Sequence, residues 1–156
     1  MATDGITTGK KYYLVHDNRG VGFEGNWLRL SKTDGDNWHP VIFHDHQGTD
    51  YVIEHTEASS KDNAYWTWDS KGVLLKSYDD ATLWHTLPTE NGIMLYGKYR
   101  RLVHAPKSSK RWLETESWPE LLQKFNSADR SVAVDRTKLE EDPTKTARFE
   151  FKLIPA

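Results

Sequence analysis

Seven tryptophans in 156 residues are a surplus, and the indole face is the surface chemistry this chain has most of. Such a face packs against the C–H-rich side of a sugar ring, provided that Asp, Asn, Arg or His nearby can bond the hydroxyls. Three stretches supply the combination. The first holds Asp17, Asn18, Trp27, Asn37 and Trp38, the second Asp62, Asn63 and Trp66, and the third Lys107, Arg111 and Trp112. Side chains alternate along Trp27-Leu28-Arg29-Leu30, so leucines turned inward would turn Trp27 and Arg29 outward. Trp112 and Glu114 stand in the same relation to Leu113. Trp66 and Trp68 share one face of their run with Thr67 opposite, which leaves the pair facing either way. Trp38 lies in the polar run Thr33 to His39, where a core role is hard to serve, and is the best single candidate for a sugar plate. Packing is the competing role for every one of these rings. Trp84, at the end of an apolar run, and Trp118, beside an expected helix start, are assigned to it.

Seven histidines raise the question of a metal. His44-Asp45-His46 puts two imidazoles on one side of an extended strand, with His39 and His55 as further donors, but spacing fixes no third ligand. No metal and no other cofactor is therefore expected. His16, His55 and His104 each close an apolar-x-His run, and their equivalent placement predicts hydrogen-bonded side chains that tie strand ends to turns. Proton sensing would follow only where such a histidine is buried or paired. The chain carries no nucleophile elbow, phosphate loop, His-Glu-x-x-His or dinucleotide fingerprint. Paired carboxylates for glycosidase chemistry stay open among the many Asp and Glu, but the expectation is a protein without catalysis.

Composition narrows the class further. With 21 Lys and Arg against 23 Asp and Glu the formal charge is −2, which argues against a general nucleic-acid binder. Arg100-Arg101 and Lys107 to Arg111 make only a modest basic cluster. No apolar run approaches the roughly 18 residues of a membrane span. Cysteine is absent, so disulfides and thiolate chemistry are excluded. Met1 to Lys11 is polar and lacks the apolar heart of a secretory signal, and the expected location is cytoplasmic.

The elements that must position these residues are short. Tyr12 to His16, Trp27 to Leu30, Val41 to Phe43, Tyr51 to Ile53, Tyr65 to Trp68, Val73 to Leu75, Thr82 to Thr86, Ile93 to Tyr96, Arg101 to His104, Trp112 to Thr115, Ser131 to Asp135 and Ala147 to Ile154 read as strands. They are rich in aromatic and β-branched residues and separated by Gly, Asp and Asn. Asp17 to Gly20 reads as a turn. Ser117-Trp118-Pro119-Glu120 has the form of a capping box, with Leu121, Leu122 and Phe125 on one face, and predicts a short helix near 117–126. A rhythm overlies the strands. Trp27 and Trp66 each follow their His by 11 residues and Trp112 follows His104 by 8, while Val41 to Phe43, Leu83-Trp84 and Phe149 to Phe151 recur as apolar landmarks. Repeats at about 10–50, 51–97 and 98–156 would make one domain, and closure would set the C-terminal run beside the Tyr12 strand. A lipocalin-like barrel and a β-sandwich are the other ways such strands could close.

With these repeats the chain resembles the β-trefoil superfamily, most of all the ricin-B-like and fungal fruiting-body lectins. Ala81-Thr82-Leu83-Trp84-His85 through Asn91-Gly92-Ile93 is similar to the strand, turn and strand of a ricin-B-like repeat, with Thr82 where that family carries Gln. The resemblance implies an all-β trefoil with up to three shallow, metal-independent pockets for glycans or glycoconjugates. It leaves room for a homodimer. Trefoils that bind proteins, such as protease inhibitors and actin-bundling modules, give the alternative. Its protruding loop would be Val21 to Asn26, Ser59 to Asn63 or Thr137 to Thr146.

Overall fold

The computed structural model describes residues 5–31, 38–48, 50–69, 72–88, 91–97, 101–104, 113–117 and 150–156. They form strands β1 (Lys11–His16), β2 (Arg19–Glu24), β3 (Trp27–Leu30), β4 (Val41–His46), β5 (Asp50–His55), β6 (Tyr65–Asp69), β7 (Gly72–Lys76), β8 (His85–Pro88), β9 (Ile93–Tyr96), β10 (Arg101–His104), β11 (Glu114–Ser117) and β12 (Lys152–Pro155). Every pairing between them is antiparallel.

The all-β expectation holds, and the trefoil expectation does not. Seven strands close in the order β1-β2-β3-β7-β6-β5-β4, with β4 pairing back onto β1 through Lys11↔Ile42 and Tyr12↔Val41, and β12 lies outside β1. The β2–β3 hairpin is hydrogen-bonded sideways to β7 at Trp27↔Leu74, so it serves as two staves of the barrel. A second sheet, β11-β10-β9-β8, joins the barrel through two bridges. In each bridge the backbone bonds run both ways, Tyr51 with Trp84 and Ile93 with Phe151. The expected helix is also corrected as far as it can be followed. Ser117 is the last residue of β11, and residues 118–126 lie outside the described set. Among the described residues the only helical turns are short 3-10 turns at Lys61–Asn63 and Tyr78–Asp80.

The strands form where the apolar residues alternate. Leu28 and Leu30 are 1 % exposed and face the barrel interior, as the alternation requires. Phe43, Trp84 and Phe151 are fully buried in the same cluster as Leu14, Ile53 and Trp66. The assignment of Trp84 to the core is therefore met. The C-terminal run meets the N-terminal one as closure predicts, with Tyr12 opposite Pro155 and Val15 opposite Lys152.

β2 is the strand that composition hides. Gly20 and Gly22 read as a turn and a loop, yet both lie on a paired strand. Gly20 is required by a neighbour, because a Cβ there would stand 2.3 Å from Trp38 Cγ. A glycine inside a strand marks such a close approach. The Asp17-Asn18 turn that feeds β2 holds both residues at positive φ, 51° and 62°. That geometry matches the right-handed twist of a two-residue hairpin, and Asp and Asn tolerate it best after glycine.

Candidate functional site

The hairpin turn and Trp38 come together at one groove. Its volume is about 620 Å³, and its floor is the outer face of β1 and β12, lined by the buried Val15, by Lys152 opposite it and by Ile154 opposite Tyr13. Asp17 and Asn18 form one end, and Trp38 and Asn91 complete the wall with His16 and Glu150. Trp38 lies over Gly20 and meets Tyr13 edge-on at 5.7 Å between ring centroids, so the indole is braced from two sides. His16 Nδ1 donates to the Glu150 carbonyl at 3.1 Å, which in the neutral ring leaves Nε2 as an acceptor. Asn91 is brought in by the Ile93–Phe151 bridge. Gly92 beside it passes so close to the Phe151 carbonyl that no Cβ would fit.

Asp17 and Glu150 carry negative charge here and Lys152 positive, with Asn18 and Asn91 as neutral amides. The groove therefore offers donors and acceptors of both kinds around one aromatic wall. That mixture suits a polyhydroxylated ligand better than a strongly charged one.

The other expected site residues are dispersed. Trp27 is half-buried on the β3–β7 seam, its ring near Gly72, and does not line this groove. Its outward turn follows the alternation, but Arg29 beside it is only 3 % exposed and bonds Glu24 Oε1 through Nε at 3.0 Å. Trp66 is 0 % exposed, and this corrects its assignment to a pocket, since no face of it reaches solvent. Asp62 and Asn63 are exposed on the 3-10 turn capped by Ser60, whose hydroxyl accepts from the Asp62 amide at 3.1 Å. With Trp66 in the core, the second stretch has no plate. Asn37, Lys107, Arg111 and Trp112 lie outside the described residues.

Around Trp66 the structure builds a different kind of place. His55 is buried against it, with the rings stacked 5.9 Å apart, and meets Phe23 at 5.3 Å and His39 at 6.3 Å. Neither ring nitrogen of His55 finds a hydrogen-bond partner among the described residues. Burial first, then the neighbouring His39 and Arg29, push its pKa down to about 3. His39, whose Nδ1 accepts from the Phe23 amide at 3.3 Å, is lowered too, chiefly by burial. The expected set of bonded histidines is thus not found as such. His16 is bonded, His55 is bare, and the side chain of His104 is outside the described residues.

His44 does not face a metal set. Its Nε2 lies 2.8 Å from Glu54 Oε1, and Lys61 Nζ stands 3.3 Å from the other oxygen. Among the described residues no group of three or more His, Asp or Glu is placed to hold a metal ion. No described helix is long and apolar enough to cross a membrane.

His16, Asn91, Glu150, Lys152 and Ile154 were not legible as site residues. They are scattered along the chain, and only the β1–β12 register and the Ile93–Phe151 bridge assemble them. The one available signal was the closure that sets the C-terminal run beside Tyr12. Comparison with known proteins finds no matching family model, no matching curated protein and no matching solved structure.

Proposed function

We propose that this protein is a non-catalytic carbohydrate-binding protein whose principal site is the Trp38 groove. One observation carries the reading: an indole braced over Gly20 and against Tyr13 shares a groove with Asp17, Asn18, Asn91, Glu150 and Lys152. The ring supplies the apolar plate, and the amides and carboxylates bond sugar hydroxyls. The groove exceeds a single sugar ring in volume and lies within the range of ordinary ligand sites, about 300–1,000 Å³. It therefore takes a glycan end of more than one residue. Binding needs no metal in this reading, and a cytoplasmic glycan-binding role is the matching expectation.

The protein-binding alternative gains no specific support. Val21 to Glu24 lies within strand β2, which leaves only the Gly25-Asn26 turn of the first candidate inhibitory loop. Ser59 to Asn63 forms a capped turn, and Thr137 to Thr146 lies outside the described residues.

The test is a broad glycan array probed with wild type and Trp38→Ala, with and without chelator. The expected result is a coherent family of bound glycans, unaffected by chelator and lost in Trp38→Ala. Equal binding by the two proteins would place the site elsewhere, and a blank array for wild type would remove the reading.

A further inference from the structure

A second groove, of about 350 Å³, shares no lining residue with the first. Trp68 of β6 forms one wall. The connection from Asp80 to Leu83 forms the other, and His85 at the start of β8 closes the end. The wall is fixed by hydrogen bonds across it. The Trp68 amide donates to Thr82 Oγ1 at 2.8 Å, and the Thr82 amide donates to the Trp66 carbonyl at 3.2 Å. Asp80 is exposed and accepts from the Ser77 hydroxyl at 3.2 Å. His85 is held flat on Tyr96, with ring centroids 4.8 Å apart, and its Nδ1 lies 2.8 Å from Asp50 Oδ1.

The parts repeat those of the Trp38 groove. Each groove has an indole, a histidine, a carboxylate and one exposed aliphatic side chain, Ile154 in the first and Leu83 in the second. Leu83 is 38 % exposed, although it lies between buried Trp84 and the bonded Thr82. The smaller volume suits one sugar ring rather than a glycan end of several.

We infer that the Trp68 groove is a second carbohydrate site, specific for a terminal monosaccharide, which makes the monomer bivalent. The inference rests on the proposed function of the Trp38 groove. Two sites on one chain convert weak single contacts into avidity on a surface that carries many glycan ends, and let one molecule bridge two such surfaces.

Native mass spectrometry with the methyl glycosides of galactose, mannose and N-acetylglucosamine, each in turn, tests this. Wild type should carry two ligands of a bound glycoside. Trp38→Ala and Leu83→Arg should carry one each, and the double variant none. Leu83→Arg changes an exposed side chain, and its thermal melt checks folding; Asp80→Ala, also exposed, gives a second probe of the same groove. One ligand on wild type, lost entirely in Trp38→Ala and kept in Leu83→Arg, overturns the second site and leaves the first standing. Two ligands retained in Trp38→Ala overturns the function on which the inference rests, and a wild type that binds an array-selected oligosaccharide but none of the methyl glycosides overturns the second site alone.

Discussion

Trp38 and Trp66 stand in sequence as two members of one expected set, and the fold gives them opposite surroundings. Trp66 occupies a strand whose neighbours alternate into the core, and it is sealed between His55 and Trp84. Trp38 follows a polar run and is laid over a glycine on the outer face of β2, where the ring is partly buried and lines a groove. The difference teaches that the partner decides the role of an indole. A ring facing other apolar side chains becomes core, and a ring facing a bare backbone becomes a wall. Gly20 is as much a part of the candidate site as Trp38 is.

The largest expected contrast follows directly. Trp66→Ala should destabilise the fold by about 3–5 kcal/mol, the usual loss for a large aromatic side chain in a core. Trp38→Ala should cost about 1 kcal/mol, near the centre of ordinary substitutions. Urea melts of both measure the gap, and equal losses would erase the distinction between core ring and groove wall.

Next comes acidity, which should act through His55 beside Trp66. An unfolded histidine titrates near 6.5, and His55 when folded near 3. The folded state therefore disfavours the proton, so this contribution is complete above pH 6.5 and is lost as pH falls toward 3. At about 1.4 kcal/mol per pH unit the loss reaches about 3 kcal/mol at pH 4.5. His39, also lowered, acts in the same direction, with Arg29 opposing protonation and Glu57 favouring it. Stability against pH in His55→Leu should be flatter than in wild type. An unchanged acid limb would show that His55 does not bear this cost.

A smaller effect sharpens the groove side of the comparison. Gly20→Ala should push the Trp38 ring aside and cost about 1–3 kcal/mol of stability, the range for overpacking. Glycan affinity should fall more in this variant than in Lys152→Ala, which removes one exposed cation without moving the wall. Isothermal titration with an array-selected glycan compares the two. The least effect is expected at Lys61, whose side chain is 84 % exposed where it meets Glu54. Lys61→Ala should change stability by less than about 0.5 kcal/mol, as surface ion pairs usually do.

Local chemistry made much of this legible. The alternation in Trp27 to Leu30 put both leucines on one face, which the fold turns inward, and Asp17-Asn18 predicted a turn. The landmark position of Trp84 predicted core, and the C-terminal run was expected beside Tyr12. What failed was long-range. A near-regular spacing of His and Trp says nothing about which strands share hydrogen bonds, and here β3 bonds β7 and β4 returns to β1. β2 was missed because Gly20 and Gly22 lower strand propensity, while the reason for Gly20 is a ring 18 residues further along. The same limit hid Glu150 and Lys152, which enter the groove only through the register of β12 on β1.

The most direct test of the Trp38 groove is an NMR titration of the ¹⁵N-labelled protein with an array-selected methyl glycoside. The account predicts saturable shifts at the Trp38 indole N–H and the amides of Asp17, Asn18, Asn91 and Lys152, with the Asp62 and Asn63 amides still. Shifts centred on the Lys61–Asn63 turn, with none around Trp38, would contradict it.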